Sequence, residues 1–107
     1  MTPESVNAVI DSPKGTVLWN ERIAMFNKAC AIDPHDIVVV EELSEFIKAV
    51  SKINRCHNNE HLKNLMEEIA DVRIVIERIM RKYNIKEDDI DKLVVFKINR
   101  FIDRYGI

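Results

Sequence analysis

The chain has 107 residues, 47% hydrophobic and 32% charged, with sixteen basic against eighteen acidic residues and a formal net charge of −2. That balance fits one small globular domain, argues against intrinsic disorder, and gives no bulk attraction to nucleic acid. Two cysteines make no disulfide framework, no signal-peptide pattern opens the chain, and no apolar run approaches the ~20 residues of a membrane span; the expectation is a cytoplasmic protein.

Only two glycines and three prolines occur, too few for the tight turns of an all-β fold. Residues 1–15, with Pro3, Pro13 and Gly15, show little periodicity and read as an irregular N-terminal arm, followed by one domain over 16–107. A first helix is expected over Leu18–Ala31, with Leu18, Ile23, Phe26 and Ala29 or Cys30 as its apolar stripe. Asp33-Pro34-His35-Asp36 breaks the chain, and Asp36 is placed to cap the next helix, about Ile37 to Ile53. Its opening, Ile37-Val38-Val39-Val40, also suits a strand, but Leu43, Phe46, Ile47, Val50 and Ile53 continue at helical spacing. A third helix spans about His61–Tyr83 on a wide face from Leu62 to Met80, and Asn84 is suited to end it. A last helix covers about Asp88–Arg104, its start rich in acids that complement the helix dipole. Four helices with short connections predict an all-α, four-helix bundle-like fold.

The chemistry is concentrated in two carboxylate doublets, each spaced i, i+3: Glu42 with Glu45, and Glu68 with Asp71. At roughly 100° per residue, Val39, Phe46 and Ile53 fall within roughly 60° of Glu42, and Leu65, Val72, Val75 and Ile79 within roughly 60° of Glu68. Each helix therefore carries a glutamate at its apolar seam and a second acid on the flank. Packed antiparallel, the two helices would bring four carboxylates into one pocket, where they repel unless protonated or neutralised by cations. Oxygen-only donors without a nearby histidine favour Mg²⁺, with Mn²⁺ as a substitute, over zinc or di-iron. The plainer alternative is a pair of solvated acidic faces, with Lys48, Lys52 and Lys63 as surface partners.

At these residues the chain resembles the MazG-like family of all-α nucleoside triphosphate pyrophosphohydrolases, whose motif is EExxE, a variable spacer, then ExxD. Here it reads Glu41-Glu42-x-x-Glu45, residues 46–67 as spacer, then Glu68-x-x-Asp71, within Glu-Glu-Leu-Ser-Glu-Phe-Ile-Lys-Ala (41–49) and Glu-Glu-Ile-Ala-Asp-Val (67–72). The end of the chain, with Lys97, Arg100 and Arg104, is similar to that of short, phage-type members, so the resemblance covers about residues 36–104. It implies that Glu42, Glu45, Glu68 and Asp71 hold Mg²⁺, that Glu45 positions an attacking water, and that Lys97, Arg100 and Arg104 bind substrate phosphates. The implied reaction cleaves a nucleoside triphosphate to the monophosphate and pyrophosphate. The implied assembly is a homodimer or homotetramer in the cytoplasm, the host's if the protein is phage-encoded. Many members end in a Lys-x-x-x-Asn pattern, whereas Lys97 and Asn99 stand two apart here. Phosphoribosyl-ATP pyrophosphohydrolase has similar acid spacing but usually a Tyr-His pair soon after the second motif, where this chain has Val72-Arg73-Ile74.

Cys56, His57 and His61 lack a fourth zinc ligand at sensible spacing, Cys30 has no evident base partner, Trp19 reads as a core or interface anchor, and no Gly-rich phosphate loop occurs. Two other functions stay open: a non-catalytic helical interaction module, and a nucleotide or metal sensor that keeps the site without turnover.

Overall fold

The computed structural model describes residues 1–13, 16–30 and 36–106, without the side chains of 16–19, 29 and 30. The described residues form an all-α protein of five helices: α1 (Pro3–Ile10), α2 (Thr16–Cys30), α3 (Ile37–Arg55), α4 (Asn59–Lys82) and α5 (Glu87–Tyr105). The break at Asp33–His35 and the side chains of Trp19 and Cys30 lie outside the described residues.

The N-terminal segment departs from the irregular arm expected for residues 1–15. Pro3 occupies the first turn of α1, where its missing N–H costs nothing and its fixed φ suits the helix. Thr2 Oγ1 accepts the Ser5 backbone N–H at 3.1 Å, and Glu4 sits at the positive end of the dipole. Eight residues cannot sustain a helix alone. Docking on α4 supports this one: Val6 is buried, and the Met1 ammonium lies 3.7 Å from Glu67.

α3 and α4 pack along their lengths and carry the core, with α1 and α2 laid against α4. Val39 and Ala49 are buried on α3, ten residues apart, and Val75 is buried on α4. Asn58 starts α4 by accepting the His61 N–H on Oδ1 at 2.7 Å, and the His61 ring Nδ1 donates to the Cys56 carbonyl at 2.6 Å. These bonds make the Cys56–His61 corner a helix cap. α4 ends as a Schellman motif: Ile85 N–H donates to Met80 O at 2.8 Å, Asn84 N–H donates to Arg81 O at 3.3 Å, and Asn84 takes the left-handed conformation at φ 53°. This fulfils the stop signal read at Asn84.

Asp36 stands at the N-cap of α3 but does not cap it with its side chain. It adopts φ 51°, and its carboxylate instead receives Arg78 Nη2 at 3.1 Å and the Lys82 ammonium, both from α4. Arg78, only 6% exposed, also donates to the Asn27 carbonyl on α2 at 3.4 Å. One guanidinium thereby ties together α2, the start of α3, and α4. The two cations hold the Asp36 carboxyl below its usual range, with Lys82 the larger influence.

The expected bundle closes only in part. Among the described residues, α5 makes no extended packing against any other helix. Its apolar set, including Leu93, Val94, Phe96, Ile98, Phe101 and Tyr105, is roughly half exposed. No described helix is long and apolar enough to cross a membrane.

Candidate metal centre

The antiparallel pairing of α3 and α4 brings Glu42, Glu68 and Asp71 together. Each offers a carboxylate oxygen, and the three atoms lie within 4.8 Å of one another. All three residues are half-buried, and among the described residues they are the only such group of His, Cys, Asp or Glu. The phasing read from the sequence accounts for this. Glu42 follows buried Val39 by three residues and Asp71 precedes buried Val75 by four, so both acids ride the edge of the apolar seam.

The environment is unfavourable to three negative charges. Burial raises the Glu42 carboxyl above its ordinary value, followed by the nearby Asp71 and Glu45 charges and a hydrogen bond with Asp71. Burial likewise raises Glu68, followed by Asp71, Glu42 and Glu45. Glu68 Oε2 is buried without a hydrogen-bond partner among the described residues. A buried, unpartnered carboxylate oxygen close to two other carboxylates is an acceptor that a proton or a cation could satisfy. The donor set, three carboxylates with no nitrogen or sulfur, suits a hard divalent ion that keeps several waters.

Glu45, expected as the fourth ligand, stands apart. Its side chain is 53% exposed and reaches Lys48 Nζ at 3.4 Å. It lies one turn along α3 on the rim, so solvent and a lysine are open to it where they are not to Glu68. Its charge still contributes to raising Glu42 and Glu68.

Beside the acids is a small cavity of about 60 Å³, lined by Glu42 and Asp71 with Phe26, Val38, Ile74 and Val75. That volume is room for one or two waters. Phe26 comes from α2, which closes this side of the site. The sequence marked Phe26 only as part of an apolar stripe, and nothing in the sequence alone distinguished it from other core aromatics.

The basic residues of the last helix form a separate feature. Lys97, Arg100 and Arg104, with Phe101 and Asp103, line an open concavity of about 650 Å³ on α5. None of them lines the cavity at Glu42 and Asp71. Within one chain, the cationic cluster and the acidic cluster are therefore distinct surfaces.

Comparison with protein-family models, with curated proteins and with solved structures gives no match to this chain. The residues themselves carry the functional argument.

Proposed function

We propose that the protein is a Mg²⁺-dependent nucleotide pyrophosphohydrolase of the MazG-like type, acting on (d)NTPs or related nucleotides as a homodimer or homotetramer. The observation that carries this reading is the meeting of Glu42, Glu68 and Asp71 across α3 and α4 with one buried carboxylate oxygen unpartnered. These three acids would hold the ion, with Glu45 reaching it by a side-chain rotation away from Lys48. When bound, Mg²⁺ supplies charge neutralisation at the substrate's phosphates and lowers the pKa of a coordinated water. Glu45, on the rim and paired with Lys48, would on leaving that lysine orient a water for attack at the α-phosphorus. Lys97, Arg100 and Arg104 supply cations for the phosphate chain, Arg through its planar fork. Because they lie away from the acids in one chain, their part in the reaction requires a neighbouring copy.

The test is pyrophosphate and monophosphate release from a panel of ribo- and deoxynucleoside triphosphates, with Mg²⁺ and with chelator. Chelator-sensitive release supports the reading and ranks substrates. Absence of turnover across the panel, with Mg²⁺ bound to the folded protein, favours the sensor. Absence of both turnover and Mg²⁺ binding favours the second reading, a helical interaction module, which the exposed apolar surface of α5 motivates.

A further inference from the structure

α5 meets its own chain at its start, where Ile90 lines an apolar cavity with Val39, Val75 and Ile79. A 19-residue amphipathic helix draws most of its stability from packing its apolar face, and α5 has no extended packing against the other described helices. The whole chain shows the consequence. Its accessible surface is 8633 Å², against roughly 6,200 Å² for a folded monomer of 12.5 kDa. Its radius of gyration is 16.5 Å, against about 13 Å for a compact domain of this length. The excess, about 2,400 Å², exceeds the ~800 Å² that each partner contributes to a standard stable interface.

The sequence of α5 says what kind of surface fits it. Ile90, Val94, Ile98, Phe101 and Tyr105 recur at steps of four, four, three and four and share one face, the pattern of a helix–helix seam. Val94, Ile98, Phe101 and Tyr105 are each about half exposed or more, and the Phe101 and Tyr105 rings already touch, tilted by 41° with centroids 4.5 Å apart. Charge is polarised along the same helix. Glu87, Asp88, Asp89 and Asp91 outnumber Lys92 in its first half, and Lys97, Arg100 and Arg104 outnumber Asp103 in its second. A copy of α5 laid antiparallel sets the acidic end against the basic end at both ends of the contact, and opposes the two helix dipoles. A parallel copy would set like charges together.

We infer that α5 is the dimerisation helix: two copies of this chain pair through α5, antiparallel about a two-fold axis, with Val94 opposite Phe101 and Ile98 next to the axis. The interface is isologous, so one apolar face serves both partners. This names the surface for the oligomer in the proposed function and rests on that reading; mass and cross-linking report it without any turnover at the acids.

The experiment uses the full chain. Light scattering at micromolar concentration should give at least twice 12.5 kDa, and a monomeric mass overturns the inference. In a chain carrying Cys30→Ser and Cys56→Ser, Ile98→Cys should form a disulfide-linked dimer under mild oxidation. Tyr105→Cys should not, because two such residues stand roughly 20 Å apart at 1.5 Å rise per residue in the antiparallel pair. Cross-linking at 105, with or without cross-linking at 98, means a parallel pair or another surface, and overturns it. Phe101→Glu should weaken the dimer by about 30-fold or more, as expected for an aromatic anchor at an interface centre. A wild-type dissociation constant in that variant overturns it. Mg²⁺-dependent turnover is read separately, so loss of the enzyme reading leaves the mass and cross-linking results intact.

Discussion

Glu68→Gln is the perturbation that bears most directly on the acid cluster. With carboxylate oxygens of Glu42, Glu68 and Asp71 within 4.8 Å, two unit charges repel by about 1 kcal/mol in water and about 3.5 kcal/mol at an effective dielectric constant near 20. The site is half-buried, so screening holds the relief from removing one charge to about 1–3 kcal/mol. Gln also turns one oxygen into an N–H₂ that can donate to Glu42 or Asp71, satisfying a group now unpartnered. Without divalent ions, the variant should therefore melt roughly 4–24 °C above wild type, taking about 4–8 °C per kcal/mol for a domain of this size.

Mg²⁺ should act in the opposite sense. At ten times its dissociation constant, an ion that binds only the folded state adds about 1.4 kcal/mol, or roughly 5–10 °C, to wild type. The variant has lost a ligand and should respond little, so the gap narrows or reverses as Mg²⁺ rises. Turnover should be abolished. The assay is thermal denaturation of both proteins across a Mg²⁺ series, with chelator as the zero point. A variant less stable than wild type in chelator, or one that gains as much from Mg²⁺ as wild type, would refute the reasoning.

Three further outcomes follow from single features. Because Glu42 and Glu68 have raised pKa values in the folded state, the native protein holds their protons longer than the unfolded chain does. Metal-free stability, measured against a Glu42→Gln, Glu68→Gln double variant, should fall as pH climbs from about 4.5 through the raised native values, with the full penalty present above them; saturating Mg²⁺ should flatten the trend, and denaturant melts at several pH values read it. Asn58→Ala removes the acceptor at 2.7 Å from His61 N–H and should cost about 1 kcal/mol, seen as a melting point lower by about 4–8 °C. Ala49→Leu forces a larger side chain into a site 2% exposed on α3 and should destabilise by about 1–3 kcal/mol, read from denaturant midpoints.

α3 and α4 were legible in the sequence because long helices with one buried face repeat their apolar residues many times. The same periodicity placed Glu42, Glu68 and Asp71 toward one another. Glu45 escaped it, because periodicity assigns a direction and not a partner: a rim glutamate three residues before a lysine settles on the lysine when no cation holds it. α1 leaves little trace in the sequence because only Val6 of its eight residues is buried, too little to make a period, and Pro3 suits a helix start as well as an irregular arm. The Asp36–Arg78–Lys82 link joins residues far apart in sequence, so only the fold reveals it. Arg78 did carry a faint signal: it stands three residues after Val75, near enough to the apolar stripe that a charge there needs a buried partner. The solitary position of α5 was not legible at all, since an amphipathic helix reads the same whether its face meets its own chain or another.

The acid cluster and the main hydrophobic contact share one seam, and that couples site to stability. Val75 and Glu42 line the same small cavity, and Val75 is 1% exposed. Pushing Glu42 away from Glu68 and Asp71 means parting α3 from α4, which exposes Val39, Ala49 and Val75. The apolar contact thus holds the carboxylates closer than they would stand unaided, and a divalent ion would add a second tie between the same two helices. α5 touches that contact at Ile90, which shares a cavity with Val39 and Val75, whereas its exposed apolar residues from Val94 to Tyr105 do not line that cavity. The two proposals therefore separate cleanly. Substitutions at 42, 68 and 71 should move melting and Mg²⁺ response with the molecular mass unchanged, and substitutions at 94, 98 and 101 should change the mass. If acid variants dissociated the oligomer, or if α5 variants abolished the Mg²⁺ shift in a folded monomer, the acid site and the α5 interface would be one surface, completed by the second copy.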